Sequence, residues 1–221
     1  MEIKAFMVDG DGTCWDYDNE PFRSSWDALA MALPQIKRAN WFAVRDKYTQ
    51  KRYNEINYDE WFNAQLSLIK GLPVSEAEKV VFPIPYSKGV ENFFSSLDGR
   101  YLKGLVTSGI DFVAEKASQE LGLDFCYSNH IETSNSSFTG KGKILIDLSN
   151  KREIVKKIAK TFEIFLEEIC FVGDNLNDVP VFEVVGLPIA FNPKHKSVEE
   201  AAKYTIYDFN ELKPFLLQSK I

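Results

Sequence analysis

Short apolar runs, each followed at once by small or polar residues, recur along the chain. They cover residues 3–8, 102–106, 169–172 and 188–191. Runs this short and this continuously apolar are typical of strands buried on both faces of a parallel sheet. Segments with apolar residues at helical spacing lie at 112–121 and 154–162. This alternation of strands and helices predicts an α/β fold, a Rossmann-like doubly wound parallel sheet.

Residues 15–85 break this alternation. They are rich in aromatic residues and helix formers and contain no convincing strand. We therefore expect a core domain formed by residues 1–14 and 86–221, with a helical domain inserted between its first strand and the rest of the sheet. A later segment, 128–148, alternates polar and apolar residues between Ser, Asn and Gly, which predicts a small β-hairpin.

The composition of the chain argues against several classes of protein. The chain has 221 residues, 45% of them hydrophobic, and a net charge of -6, so a disordered or nucleic-acid-binding protein is disfavoured. The three cysteines form no C-x-x-C pair and indicate reduced thiols. The start of the chain lacks signal-peptide features, and no run approaches the ~20 apolar residues of a membrane span. We expect a cytoplasmic protein without nucleic-acid or membrane partners, either a monomer or a homodimer.

The first apolar run ends in the motif D-G-D-G-T, residues 9–13. If the chain turns at its glycines, the carboxylates of Asp9 and Asp11 can project toward one point. One could attack phosphorus while the other handles the proton of the leaving group. An ordinary turn explains this motif equally well, since Asp and Gly dominate turns.

The third run ends in G-D-N-L-N-D, residues 173–178. Its acidic and amide side chains form an oxygen-rich site of the kind that suits Mg²⁺. A helix-capping turn is the alternative. Two acidic strand ends in one sheet favour the metal site, because burying four carboxylates together without a cation would be costly.

Two further features could bind phosphate. The hydroxyl motif Thr107-Ser108-Gly109 follows the second run and offers hydroxyl and backbone N–H donors at the start of a helix, although Ser and Thr are also ordinary helix caps. Lys151 opens a predicted helix and could neutralise phosphate charge in a transition state.

In this order and spacing, the motifs resemble those of the haloacid dehalogenase superfamily of phosphohydrolases. The likeness is greatest to phosphoserine phosphatase-type enzymes, on the strength of L-V-T-S-G-I-D at 105–111, N-K-R-E-I-V at 150–155 and the motif at 173–178. The resemblance covers essentially the whole chain. It implies a phosphatase that forms an aspartyl-phosphate intermediate with Mg²⁺ as cofactor.

The resemblance also implies a role for each motif residue. Asp9 would be the nucleophile, and Asp11 would be the acid and base. Asp9, Asp11 and Asp174 would bind Mg²⁺, with Asp178 supporting the metal shell or orienting Lys151. The phosphoryl group would be held by Thr107, Ser108, Gly109, Lys151 and Asn177.

The inserted region resembles the superfamily's mobile cap, which closes over small substrates. In phosphoserine phosphatases a glutamate reads the substrate's ammonium group and a cap arginine clamps its carboxylate. The matching positions here are Asp18 and Gln65. A neutral amide cannot replace a bidentate arginine–carboxylate pair. The expected substrate is a small phosphorylated metabolite, and phosphoserine and an ester without an α-carboxylate both stay open.

Three other functions are weighed against this one. A phosphotransferase that passes the phosphoryl group to an acceptor alcohol would share all the motifs. A catalytically retired module that binds a phosphometabolite is disfavoured because Asp9, Lys151 and Asp174 are all present. A nucleotide-binding domain would need G-x-G-x-x-G after the first strand, and the chain has none there.

Overall fold

A seven-stranded sheet forms the centre of the computed structural model, which describes residues 2–17 and 24–217. The strands are β1 (Ala5–Val8), β2 (Leu102–Ile110), β3 (Phe125–Ser134), β4 (Ser137–Lys143), β5 (Ile169–Gly173), β6 (Leu187–Phe191) and β7 (Tyr204–Ile206). Their order is β4-β3-β2-β1-β5-β6-β7, and every pair is parallel except β3 with β4. The predicted doubly wound α/β sheet is confirmed.

The central position of β1 decides where the motifs meet. Val8 at its end pairs with Leu105 of β2 on one side and with Val172 of β5 on the other. The residues that follow these three positions therefore leave the sheet at one edge. In doubly wound sheets this carboxyl edge is where ligands bind.

Helices cover both faces of the sheet. In the described residues they are α1 (Ser25–Ala30), α2 (Gln35–Thr49), α3 (Tyr58–Ile69), α4 (Val74–Val81), α5 (Val90–Ser96), α6 (Asp111–Leu121), α7 (Lys151–Thr161), α8 (Val179–Phe182), α9 (Lys196–Ala201) and α10 (Lys213–Leu217). Side chains of β1 alternate between two apolar clusters, with Phe6 and Val8 in the cluster of α6 and Ala5 and Met7 in that of α7. This two-sided burial explains why the strand is continuously apolar.

The four helices α1 to α4 all lie between β1 and β2 in the chain. Aromatic rings join the first three: Trp26 stacks with Trp41 and meets Phe62 edge-on, while Tyr48 stacks with Trp61. The end of α3 is also tied to β4, because Phe138 exchanges backbone hydrogen bonds with the turn at 71–72. The division of the chain into domains at residues 15 and 85 stays a prediction.

Three details differ from the sequence-based expectations. The second strand continues to Ile110, which pairs with Asn129 beyond an irregularity, so the hydroxyl motif lies in the strand end and α6 starts only at Asp111. The predicted hairpin forms, but β3 begins earlier as a parallel strand of the main sheet. The short edge strand β7 carries too weak a pattern to be predicted. No helix within the described residues is long and apolar enough to cross a membrane.

Phe93 of α5 anchors one helix layer to the sheet. Its fully buried ring meets Phe6 edge-on at 5.1 Å and lies 6.1 Å from the ring of Phe209. We expect Phe93→Ala to lower the free energy of unfolding by about 3–5 kcal/mol, through lost burial and a residual cavity. Urea denaturation followed by circular dichroism measures this change.

The same substitution at Phe165, whose ring is 71% exposed, is the control. We expect it to change the free energy of unfolding by no more than about 0.5 kcal/mol. Equal effects at the two positions would contradict the burial argument.

Candidate active site

Three buried carboxylates meet at the carboxyl edge of the sheet. Asp9 follows β1, Asp174 follows β5, and Asp178 lies at the start of α8. Each offers an oxygen to a common point, and these oxygens all lie within 4.8 Å of one another. The exposed fractions of the three residues are 5%, 0% and 0%, so water screens their mutual repulsion poorly.

Lys151 provides a positive charge inside this cluster. It is the first residue of α7, as predicted, and is 1% exposed. Its Nζ lies 3.0 Å from Asp9 Oδ1 and 2.6 Å from Asp178 Oδ1. Burial alone would lower the pKa of this ammonium group, but Asp178 and Asp9 outweigh it and raise the pKa above its ordinary value. Lys151 therefore remains charged.

Asp178 fixes both the lysine and the loop before it. While Oδ1 faces Lys151, Oδ2 accepts hydrogen bonds from the backbone N–H groups of Asp174 at 3.0 Å and Asn175 at 3.1 Å. Gly173 packs against the same carboxyl, so any side chain there would collide with it. The motif at residues 173–178 therefore forms a hydrogen-bonded turn and also places two carboxylates in the site.

Asp174 has two partners that the sequence analysis did not select. Thr13 Oγ1 donates to Asp174 Oδ1 at 3.0 Å, and Lys194 Nζ lies 3.1 Å from Asp174 Oδ2. Gly12 adopts φ +85° with its Cα directly against this carboxylate, a conformation and a space that favour glycine. Both partners had a signal in the sequence, since Thr13 closes the first motif and Lys194 follows the fourth apolar run.

The carboxylate of Asp11 lies apart from this cluster. It accepts hydrogen bonds from Ser25 N at 2.6 Å, Ser25 Oγ at 2.8 Å and Trp15 Nε1 at 2.8 Å. Burial raises the pKa of the Asp11 carboxyl to about 6, although these hydrogen bonds act in the opposite direction. Asp11 is thus a carboxyl group that can hold or release a proton near neutral pH. Nothing in the sequence pattern indicated Ser25.

The three-carboxylate cluster fits a divalent cation. Burial raises the pKa of both Asp174 and Asp178, even though Lys194 and Lys151 lower it. Asp9 Oδ1 and Asp174 Oδ2 are buried and accept no well-aligned hydrogen bond, although an ammonium group lies near each. Buried carboxylate oxygens that accept no well-aligned hydrogen bond are suitable ligands for a hard divalent cation.

The phosphate-binding candidates surround a cavity of about 540 Å³. Its wall includes Asp9, Asp11, Thr107, Ser108, Asn177 and Gln65. Thr107 Oγ1 accepts a hydrogen bond from Gly109 N at 3.0 Å, which fixes the hydroxyl motif. Lys151, Asp174 and Asp178 lie behind this wall rather than in it. Asp18 lies outside the described residues.

Asn129 at the bend of β3 links three segments around the cavity. Its fully buried amide nitrogen donates to Tyr58 Oη at 3.0 Å, to Ser108 O at 3.1 Å and to Ile146 O at 2.8 Å. Its oxygen accepts from the backbone N–H groups of Leu145 and Ile146, both at 2.8 Å. One side chain thus ties an inserted helix, the hydroxyl motif and the segment before Lys151 together. Sequence analysis missed it, since a lone Asn in a strand carries no signal.

Comparison with known proteins places the chain in a family. A model of the haloacid dehalogenase-like hydrolases matches residues 90–213. The chain belongs to this family. Among curated relatives, phosphoserine phosphatases of Methanocaldococcus jannaschii and Archaeoglobus fulgidus are 34% and 37% identical over 150 and 143 residues. These alignments cover 66% and 63% of this chain and 71% and 41% of the relatives, so the chain spans only about two fifths of the archaeal protein from A. fulgidus.

Solved structures agree with this placement. A phospho-aspartyl intermediate analogue of phosphoserine phosphatase is 27% identical, with a TM-score of 0.79, and covers 98% of this hydrolase and 100% of its own chain. A substrate-bound phosphoserine phosphatase complex gives the same identity and TM-score, with coverages of 98% and 99%. The resemblance to phosphoserine phosphatases is confirmed, and the findings support a phosphatase with an aspartyl-phosphate mechanism.

Asn129→Leu keeps the approximate shape of the side chain but removes all five hydrogen bonds. The Leu145 and Ile146 N–H donors and the Ile146 carbonyl would each lose a partner, at a cost of about 1–3 kcal/mol for each group left unpaired in a buried site. We therefore expect the free energy of unfolding to fall by at least about 2 kcal/mol. Chemical denaturation measures it.

Asn92→Leu on the exposed side of α5 is the matched control, with an expected change within about 0.5 kcal/mol. Wild-type stability in Asn129→Leu would show that these hydrogen bonds have no net value.

Proposed function

We propose that this chain hydrolyses small phosphate monoesters, with Asp9 as the nucleophile. The observation that carries the proposal is the pairing of buried Asp9 with Lys151 at 3.0 Å, beside Asp174 and at the wall of a cavity of metabolite size. A carboxylate paired with a buried ammonium group can attack phosphorus. When Asp9 accepts the phosphoryl group, a covalent intermediate forms, and hydrolysis is divided into two steps.

The first step transfers the phosphoryl group from the substrate to Asp9. A carboxylate oxygen of Asp9 forms the new bond to phosphorus as the bond to the leaving oxygen breaks. Asp11, with its pKa raised to about 6, supplies the proton that the leaving alkoxide needs. Lys151, the Thr107 hydroxyl and Asn177 are the groups that we assign to the negative oxygens of the phosphoryl group.

The second step returns Asp9 to its starting form. Asp11, now ionised, takes a proton from a water molecule, which attacks phosphorus and releases inorganic phosphate. The hydrogen bonds from Ser25 and Trp15 keep the Asp11 carboxyl in one place through both steps. Asp178 acts indirectly in this proposal, by holding Lys151 and the backbone of the second acidic motif.

We assign Mg²⁺ as the cation of this site, with Asp9, Asp174 and the Asp11 backbone carbonyl as its protein ligands. Bound there, it would cancel carboxylate repulsion and draw charge from the phosphoryl oxygens. The hard oxygen donors of the carboxylate cluster and the absence of sulfur or imidazole among its members favour Mg²⁺ over softer metals.

We also propose that residues 15–85 act as a cap over small substrates. Supporting this, side chains from the inserted helices and the turn between them line the cavity beside Asp9 and Asp11, among them Trp26, Tyr53 and Tyr58. A cavity closed from this side would exclude bulk water from the phosphoenzyme.

Asp9→Asn tests the nucleophile. The substitution preserves shape but removes the ionised oxygen, so we expect kcat for 4-nitrophenyl phosphate to fall at least about 10³-fold. Acid-quenched mass spectrometry should find one phosphoryl group on Asp9 in the wild type and none in the variant. Asp59→Asn on the exposed first turn of α3 is the control and should keep wild-type kcat. Full turnover by Asp9→Asn would overturn the mechanism.

Metal dependence forms a separate prediction. Treatment with EDTA should abolish turnover, and Mg²⁺ should restore it. Asp174→Asn should raise the Mg²⁺ concentration for half-maximal activity at least about tenfold, because one charged ligand is lost. Thermal unfolding gives a second readout: Mg²⁺ should raise the Tm of the wild type more than that of the variant. Undiminished turnover after chelation would refute the metal assignment.

A further inference from the structure

Helix α3 presents two polar groups without partners to the cavity. Gln65 is 5% exposed and lines the cavity, yet its side-chain amide forms no hydrogen bond with any residue of 2–17 or 24–217. Trp61, one helical turn earlier and also in the wall, has a buried Nε1–H that donates no hydrogen bond within the part of the chain that the structure describes. A buried donor is costly to leave unpaired, so the Trp61 indole beside the Gln65 amide indicates a ligand at this wall.

Two tyrosines and one tryptophan of this wall already have hydrogen-bond partners in the protein. Tyr58 Oη donates to Ser108 O at 3.1 Å, Tyr53 Oη donates to Leu148 O at 2.8 Å, and Trp26 Nε1 lies 3.4 Å from Ser108 O. Among the α3 side chains of this wall, Gln65 and Trp61 thus differ from Tyr58. Their positions at i and i+4 put both on one face of α3.

Among the described residues of the wall, two cations already pair with acidic side chains. Arg45 pairs with Asp27 at 3.2 Å and with Asp46 at 2.9 Å. Lys194 pairs with Asp174, and Lys51 lies over the ring of Tyr48 at 4.8 Å. At Gln65 a substrate carboxylate would therefore meet a neutral amide in place of a guanidinium or ammonium group.

A neutral hydroxyl group matches this wall better. It both donates and accepts, and the Gln65 amide does the same, while the Trp61 indole adds a donor. Resting on the phosphatase activity proposed above, we propose that Gln65 and Trp61 bind hydroxyl groups of the leaving alcohol. The preferred substrate class is then the phosphate monoester of a small polyhydroxy alcohol rather than of an amino acid.

Substrates matched in size test this proposal on the wild-type enzyme. Glycerol 3-phosphate and n-propyl phosphate share a three-carbon chain and differ in two hydroxyl groups, while O-phosphoserine replaces them with a carboxylate and an ammonium group. We expect kcat/KM for glycerol 3-phosphate to exceed that for each of the other two at least about tenfold, as two to three lost hydrogen bonds require. A higher kcat/KM for phosphoserine, or equal values for glycerol 3-phosphate and propyl phosphate, would overturn the proposal.

Variants assign the preference to the two residues. Gln65→Leu should lower the ratio of kcat/KM for glycerol 3-phosphate to that for propyl phosphate about tenfold, and Trp61→Phe should lower it several-fold. Gln65→Arg should move the ratio toward phosphoserine, since it restores a guanidinium group. Asn63→Leu, the same kind of change on the exposed face of α3, should leave all ratios unchanged. Equal losses on glycerol 3-phosphate and propyl phosphate would show a merely structural role.

Turnover of 4-nitrophenyl phosphate separates this proposal from the activity on which it rests. It should be lost in Asp9→Asn, both in the wild-type background and in the Gln65 and Trp61 variants. Loss of the Asp9 dependence would refute the phosphatase mechanism. Retained Asp9 dependence with a preference for phosphoserine would refute only the assignment of substrate class.

Discussion

The repulsion among Asp9, Asp174 and Asp178 is the constraint around which the rest of the site is built. Three carboxylates within 4.8 Å, almost without access to water, would favour protonation or unfolding if nothing opposed them. Lys151 and Lys194 supply two positive charges, which leaves the cluster formally with one negative charge. A divalent cation would turn that into one positive charge. The same cation that relieves the repulsion would therefore make the site attractive to a phosphate dianion.

Contacts between the inserted helices and the core pass through the site itself. Ser25 at the start of α1 holds the Asp11 carboxylate, and Tyr58 at the start of α3 donates to the carbonyl of Ser108. Movement of the inserted helices away from the core would break these hydrogen bonds. If residues 15–85 act as the proposed cap, its position therefore controls Asp11 and the strand end at Ser108 together, and the proposed catalytic arrangement is complete only when the inserted helices are in place.

The sequence allowed the sheet and its chemistry to be predicted because both depend on local signals. Apolar runs that end in Asp or Thr identify buried strands and their carboxyl ends, which is why Asp9, Thr107 and Asp174 could be assigned to one edge. The hydroxyl motif was misplaced by a few residues, since the pairing of Ile110 with Asn129 extends β2 beyond its apolar run. That pairing joins residues far apart in the chain and leaves no periodicity to detect.

The difference between local sequence signals and long-range contacts also applies to individual side chains. Lys151 could be selected because it opens a helix within a recognisable motif, whereas Asn129, Ser25 and Trp61 carry no motif. Their importance lies in what surrounds them. Asn129 is fully satisfied by partners up to 71 positions away, and Trp61 Nε1 has none. A satisfied polar group holds the protein together and an unsatisfied one is available to a ligand, and only the three-dimensional structure separates the two. Under the proposed function, the residues that attack phosphorus can therefore be predicted from sequence, while the residues proposed to bind the leaving group can be selected only from the hydrogen bonds in the structure.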